Sequence, residues 1–185
     1  MGLQIRIDPF FYLIFSLFLL IIPIDWLAAM VIAAIVHEVC HGAVIRLCGG
    51  RITGIYIGPG GALLKTQLSG RAARLLTTAA GPAGSLLLCC FLRWIPRISL
   101  CGLFQGMYNL LPLRPLDGGN IVRCLVGENL CGRIEKIFLY SFVVCIIYAS
   151  VFLKAGILPL LLGGTVLARA LARKIPCKRS GKRVQ

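Results

Sequence analysis

Two histidines and six acidic residues are all that this 185-residue chain contains. Acid–base or metal chemistry must therefore rest on very few side chains. Charge of any kind is scarce, 14% of residues, against roughly 25% in a soluble domain. That argues against an ordinary soluble globular protein. A disordered basic chain is excluded as well, because such chains are poor in apolar residues and this one is 58% hydrophobic. The charge that exists has one dominant sign: 20 Lys and Arg give a net charge of +14. Nucleic-acid binding would explain the basic residues but not a mean hydropathy of +0.90, so no nucleic-acid partner is expected. Composition points instead to a membrane protein with its basic residues in loops and tails. The nine cysteines are odd in number and form no C-x-x-C pair. Most lie in apolar runs, which speaks against a disulfide framework and for small reduced apolar side chains.

The apolar runs predict a mostly helical polytopic protein. Spans are expected at about Pro9–Ile24, Trp26–Cys48, Leu75–Leu92, Ile98–Leu111, Ile137–Leu153 and Ile157–Leu171. At about 20 residues per spanning helix, six is the limit for this length, with no room for a second soluble domain. Residues 1–172 are thus expected to form one membrane-embedded domain, followed by a disordered basic tail, 173–185. Between the second and third spans the pattern changes. Ile52, Ile55 and Ile57 alternate with Thr53, Gly54, Tyr56 and Gly58, before a Pro59-Gly60-Gly61 turn. This predicts a short β-hairpin or re-entrant segment, with 51–58 as an edge strand open to an extended peptide. Six spans place both termini on one side, and 17 of the 20 basic residues then share that side. The bias predicts cytoplasmic termini and explains the net charge as an orientation signal. The tail also suits contact with anionic head groups of the bilayer.

Both histidines fall in one window, His37-Glu38-Val39-Cys40-His41, inside the second span. On a helix, positions i and i+4 share a face, so two imidazoles can hold one zinc ion. Glu38, next to the first ligand, is placed to act as general base. Three ionisable groups within a span are costly and mark function. A catalytic zinc needs a third protein ligand. Asp8, Asp25, Glu128 and Glu135 lie at predicted span ends or in loops, which leaves Asp117 in the stretch Asn109 to Gly119. Prolines break the helix there, and the glycines allow tight turns and close approach. Cys40 is a rival ligand on grounds of softness, although it lies about 100° around the helix from His41.

With these motifs in place, the chain resembles the site-2 protease family of intramembrane zinc metalloproteases. His37-Glu38-x-x-His41 is similar to the family's H-E-x-x-H. Asn109-x-x-Pro112-x-x-Pro115-Leu-Asp117-Gly118-Gly119 is similar to its second motif. Pro59-Gly60-Gly61 looks like the family's membrane-associated strand element, and Ala80-Gly81-Pro82 like its third-helix motif. The resemblance implies one Zn²⁺ held by His37, His41 and Asp117, with Glu38 catalytic. It also implies substrate-positioning roles for Asn109, Pro112, Gly60 and Gly61. The expected reaction is hydrolysis of a peptide bond in or near a membrane helix of a membrane-associated protein substrate, with a regulatory membrane partner as a further expectation. The compact layout looks most like the sporulation subgroup, stage IV sporulation protein FB, which releases a sigma factor at a bacterial cytoplasmic membrane. A metal-ion-handling transporter and a catalytically silent scaffold are the alternatives. Cys40 departs from the glycine common at its position in the family.

Overall fold

A computed structural model of the chain describes residues 4–58, 61–114 and 116–151. Pro59, Gly60, Pro115, the expected sixth span and the basic tail lie outside the described residues. The chain divides into two compact units, Met1–Cys131 and Gly132–Gln185. The first unit carries all the elements around the histidines.

The architecture is mostly helical with one small sheet. Strand β1 (Gln4–Ile7) leads into helix α1 (Pro9–Ile21) and helix α2 (Ile24–Leu47). Strands β2 (Arg51–Gly58) and β3 (Gly61–Gln67) follow, then helix α3 (Arg71–Leu87) with a 3₁₀ turn to Phe91. Helices α4 (Pro96–Asn109), α5 (Asp117–Val126) and α6 (Glu128–Val151) complete the described chain. Two helical stretches, Ile24–Leu47 and Arg71–Phe91, are long and apolar enough to cross a membrane, and α1 is a shorter apolar helix. At 1.5 Å per residue, α2 is roughly 36 Å long, enough for a hydrocarbon core of about 30 Å.

The outward surface is apolar, unlike that of a soluble protein. The buried positions of α2 are Leu27, Ala29, Ala33, His37, His41 and Ile45, mostly a four-residue stripe that includes both histidines. Its outward residues, among them Ile35, Val39 and Leu47, are large and apolar. No residue of α1 is buried, and Phe10, Leu13 and Leu20 are open along it. In water, such a surface would be an aggregation hazard; in lipid it is the matched surface. Small buried side chains let the helices approach closely. Gly102 and Gly106 of α4 face α3, where an added methyl would strike the Ser85 and Pro82 carbonyls.

The ends of the helices sort the charge. Asp25 at the start of α2 pairs with Arg97 at the start of α4 at 3.0 Å. At the opposite end of α2 and α3 lie Arg46, Arg71 and Arg74.

Three features differ from the sequence expectation. First, β1 adds to the hairpin, giving a three-stranded sheet of order β1-β2-β3. It pairs parallel to β2 through Ile5↔Ile55 and Ile7↔Ile57, while β3 pairs antiparallel. Strand 51–58 is therefore central, not an edge; among the described residues the sheet edges belong to β1 and β3. Second, the stretch after α4 does not remain a loop: Asp117 opens helix α5. Third, α3 and α6 begin earlier than their apolar runs, at Arg71 and Glu128, because charged turns extend them.

Candidate metal centre

The i, i+4 spacing on α2 brings the imidazoles of His37 and His41 together, with ring centroids 4.8 Å apart. Their Nε2 atoms are 3.2 Å apart. Asp117, 80 residues from His37 in sequence, places Oδ2 at 3.1 Å from Nε2 of His37 and 3.2 Å from Nε2 of His41. These three residues form the one group of potential metal ligands of this kind among the described residues. Cys40 is not in it. Its thiol faces α3, where a methyl on Gly84 would overlap Sγ.

The other ring nitrogens are fixed by α3. Nδ1 of His41 donates to the Thr77 carbonyl at 2.7 Å. Nδ1 of His37 and the Ser85 hydroxyl are hydrogen-bonded at 2.8 Å. Ser85 is fully buried and His37 nearly so. A carbonyl only accepts, so Nδ1 of His41 carries a proton, and in the neutral form of the ring the lone pair lies inward at Nε2. Partners of this kind fix the tautomer and orientation of ligating histidines. Neither Ser85 nor Thr77 is legible as a ligand support in sequence, although Ser85 closes the Ala80–Ser85 run of small residues.

The donor set fits a zinc ion. Two imidazole nitrogens and a carboxylate oxygen form a triangle with sides of 3.1–3.2 Å. Tetrahedral zinc with bonds of about 2.0–2.1 Å would separate its ligands by roughly 3.3 Å. Converging lone pairs repel one another unless a cation lies between them. The space is also shaped for the rings. A methyl on Gly81 of α3 would lie 2.7 Å from Nε2 of His37 and closer still to that of His41. Gly118 and Gly119 do the same for Asp117, because side chains there would collide with the Leu110 and Leu113 backbone. Close packing of α5 on the 110–114 turn thus delivers the carboxylate to the histidines.

Of the remaining expected site residues, Asn109 ends α4 with Nδ2 3.4 Å from Nε2 of His37. Glu38 is half-buried and within electrostatic reach of His37, His41 and Asp117. Pro112 is half-buried in the turn before α5 and is not among the ligand contacts. Gly61 begins β3 at φ +112°, a conformation glycine adopts easily; Gly60 lies outside the described residues.

Comparison with known proteins gives a family and a fold. A family model described as Peptidase M50B-like matches residues 10–107, more than half of the chain. The match includes His37, Glu38 and His41; Asp117 lies beyond it. The site-2 protease from Methanocaldococcus jannaschii has a similar fold, with a TM-score of 0.65 at 19% identity, over 100% of this chain and 96% of that one. No curated protein matches the sequence.

Proposed function

Because the chain belongs to the Peptidase M50B-like family, we propose that it is an intramembrane zinc metalloendopeptidase acting on a membrane-associated protein substrate. The observation that carries this reading is the convergence of His37, His41 and Asp117 on one small space within a lipid-facing helical bundle. His37, His41 and Asp117 would hold the zinc ion, which would supply Lewis acidity toward the scissile carbonyl and lower the pKa of a water toward neutrality.

The chain's own groups do the rest. Glu38 takes the proton of the attacking water and returns it to the leaving amine. Ser85 and the Thr77 carbonyl keep both imidazoles turned inward throughout. Asn109, with its amide directed at the ligand cluster, offers a hydrogen-bond donor to the substrate backbone. A membrane helix resists cleavage while its carbonyls are bonded, so the substrate must unwind. The outer edge of β3 suits capture of the unwound segment as an added strand; central β2 has no free edge for it. His41 is roughly 9 Å along the helix from the end of α2 at Leu47, and the basic Arg46 and Arg71 there support a cytoplasmic location for that end. This favours water entry and cleavage from the cytoplasmic side, with both termini there. In a bacterial cytoplasmic membrane, a tethered transcription factor such as a sigma factor would be a fitting substrate, as in the sporulation subgroup, with a membrane partner in control.

The test is Glu38→Gln in purified protein. We expect zinc content unchanged and cleavage of a membrane-tethered substrate reduced by a factor of about 10²–10⁴. Wild-type proteolysis by this variant would refute the assignment. An ion-transport role for the same three ligands would tolerate the substitution.

A further inference from the structure

Helix α3 is bonded to both histidines, and it also reaches the helix that carries the third ligand. At its first residue, Arg71, Nε donates to the Cys124 carbonyl and Nη2 donates to the Leu125 carbonyl at 2.7 Å. These carbonyls lie in the last turn of α5, and Asp117 is the first residue of α5. We propose that Arg71 is a positioning residue of the metal centre, pinning the Asp117 helix to the helix that orients His37 and His41. The proposal rests on the ligand set assigned above.

Three observations carry it. Helix α5 has only 10 residues, too few to hold together without tertiary contacts. The last carbonyls of a helix lack intrahelical partners and point along its axis. A two-pronged guanidinium there supplies donors, complements the negative end of the helix dipole and fixes the axial position of the rod. At the other end, Gly118 and Gly119 lie against the 110–114 turn, and the Cys131 thiol donates to the Gly119 carbonyl at 3.5 Å. Asp117 is thus set by both ends of α5, and zinc sites tolerate ligand errors of only about 0.2 Å. Finally, the location of Arg71 is unfavourable for its own helix. It sits in the first turn of α3, which has no acid to offset it, where the dipole disfavours a cation. Its favourable partners are the α5 carbonyls.

The simpler alternative is that Arg71 only orients the protein in the membrane as a positive charge. Lysine would serve that purpose equally. The experiment measures Zn²⁺ affinity by chelator competition on the full-length chain in detergent, stripped of metal and titrated. The variants are Arg71→Ala, Arg71→Lys, Asp117→Ala and the double variant Arg71→Ala/Asp117→Ala. We expect Arg71→Ala to weaken zinc binding about tenfold, the lower end of the range for groups that support ligands. Arg71→Lys should weaken it several-fold, because one ammonium cannot reproduce the planar fork. In the Asp117→Ala background, Arg71→Ala should cause no further loss, since a residue that acts through Asp117 has nothing left to position. Wild-type affinity in either Arg71 single variant would overturn the proposal. So would an equal loss in the presence and absence of Asp117, which would indicate general loosening of the fold. Unchanged affinity in Asp117→Ala would instead overturn the ligand set, and the proposal with it.

Discussion

Gly81→Ala isolates the fit between α3 and the two imidazoles. The substitution adds one methyl group in a buried position on the helix that faces both rings. That methyl would lie 2.7 Å from Nε2 of His37, where ordinary contact begins at 3.4 Å, and nearer still to His41. The His37 ring must therefore move by roughly 0.7 Å, several times the error of about 0.2 Å that a zinc site accepts. If α3 retreats instead, the bonds from Thr77 and Ser85 to the rings are stretched. Overpacking of this kind costs about 1–3 kcal/mol, or roughly one to two powers of ten in zinc affinity at about 1.4 kcal/mol per tenfold. Without metal, the rings can turn aside, and Gly→Ala inside a helix gains about 0.8–1 kcal/mol in propensity. The expected signature is therefore divergent: zinc affinity falls 10- to 100-fold while stability of the metal-free protein is nearly unchanged. Chelator competition gives the affinity, and thermal unfolding with and without Zn²⁺ gives the stability. Gly132→Ala, where an added methyl meets nothing within 4 Å, is the control and should bind zinc normally. Zinc affinity within twofold of wild type in Gly81→Ala would refute the reasoning.

Two other perturbations follow. Ser85→Ala removes the hydroxyl bonded to Nδ1 of His37. Zinc affinity should drop about 10- to 100-fold, a change read directly by metal titration; no change would mean the ring is held by packing alone. Tyr56→Phe breaks the bond from the phenol to Asp8, 2.5 Å long, which ties β2 to the N-cap of α1. The Tyr56 hydrogen bond lowers the Asp8 pKa, as does the Phe10 amide, and the same bond raises that of Tyr56. A depressed carboxyl contributes stability above its unfolded pKa and loses it as pH falls through the folded one. A raised phenol contributes below its unfolded pKa and loses it as pH rises through the folded one. The difference in Tm between wild type and Tyr56→Phe should thus be constant across neutral pH and vanish in strong acid and in strong alkali. A difference that varied between pH 6 and 8 would show that another group titrates there.

The sequence expectation was strongest where the physics is local. His37, Glu38 and His41 are readable because helical periodicity alone puts i and i+4 on one face. The hairpin at Arg51–Gln67 is readable because alternation and a Pro-Gly-Gly turn encode it within a few residues. Asp117 could be named because only six acids exist. Helix α5 was missed because Asp-Gly-Gly-Asn is a poor helix start; the contacts of Gly118 and Gly119 with the preceding turn stabilise it there. Strand β1 was missed because four residues mean little until they pair with a strand about 50 positions away. That pairing moved the free edge away from 51–58.

By itself, then, the sequence pointed to the solvent and the chemistry: apolar runs suited to lipid, a one-sided bias of basic residues, and a scarcity of polar groups that leaves both histidines on one helix face. These properties depend on composition and on spacing within a turn or two. Only the tertiary structure decided how the site is held. It set Ser85 against His37 across 48 residues, brought Asp117 across 80, and placed Arg71 on the end of α5. Such contacts arise where separate helices pack, and no pattern within a single segment encodes which of them will meet.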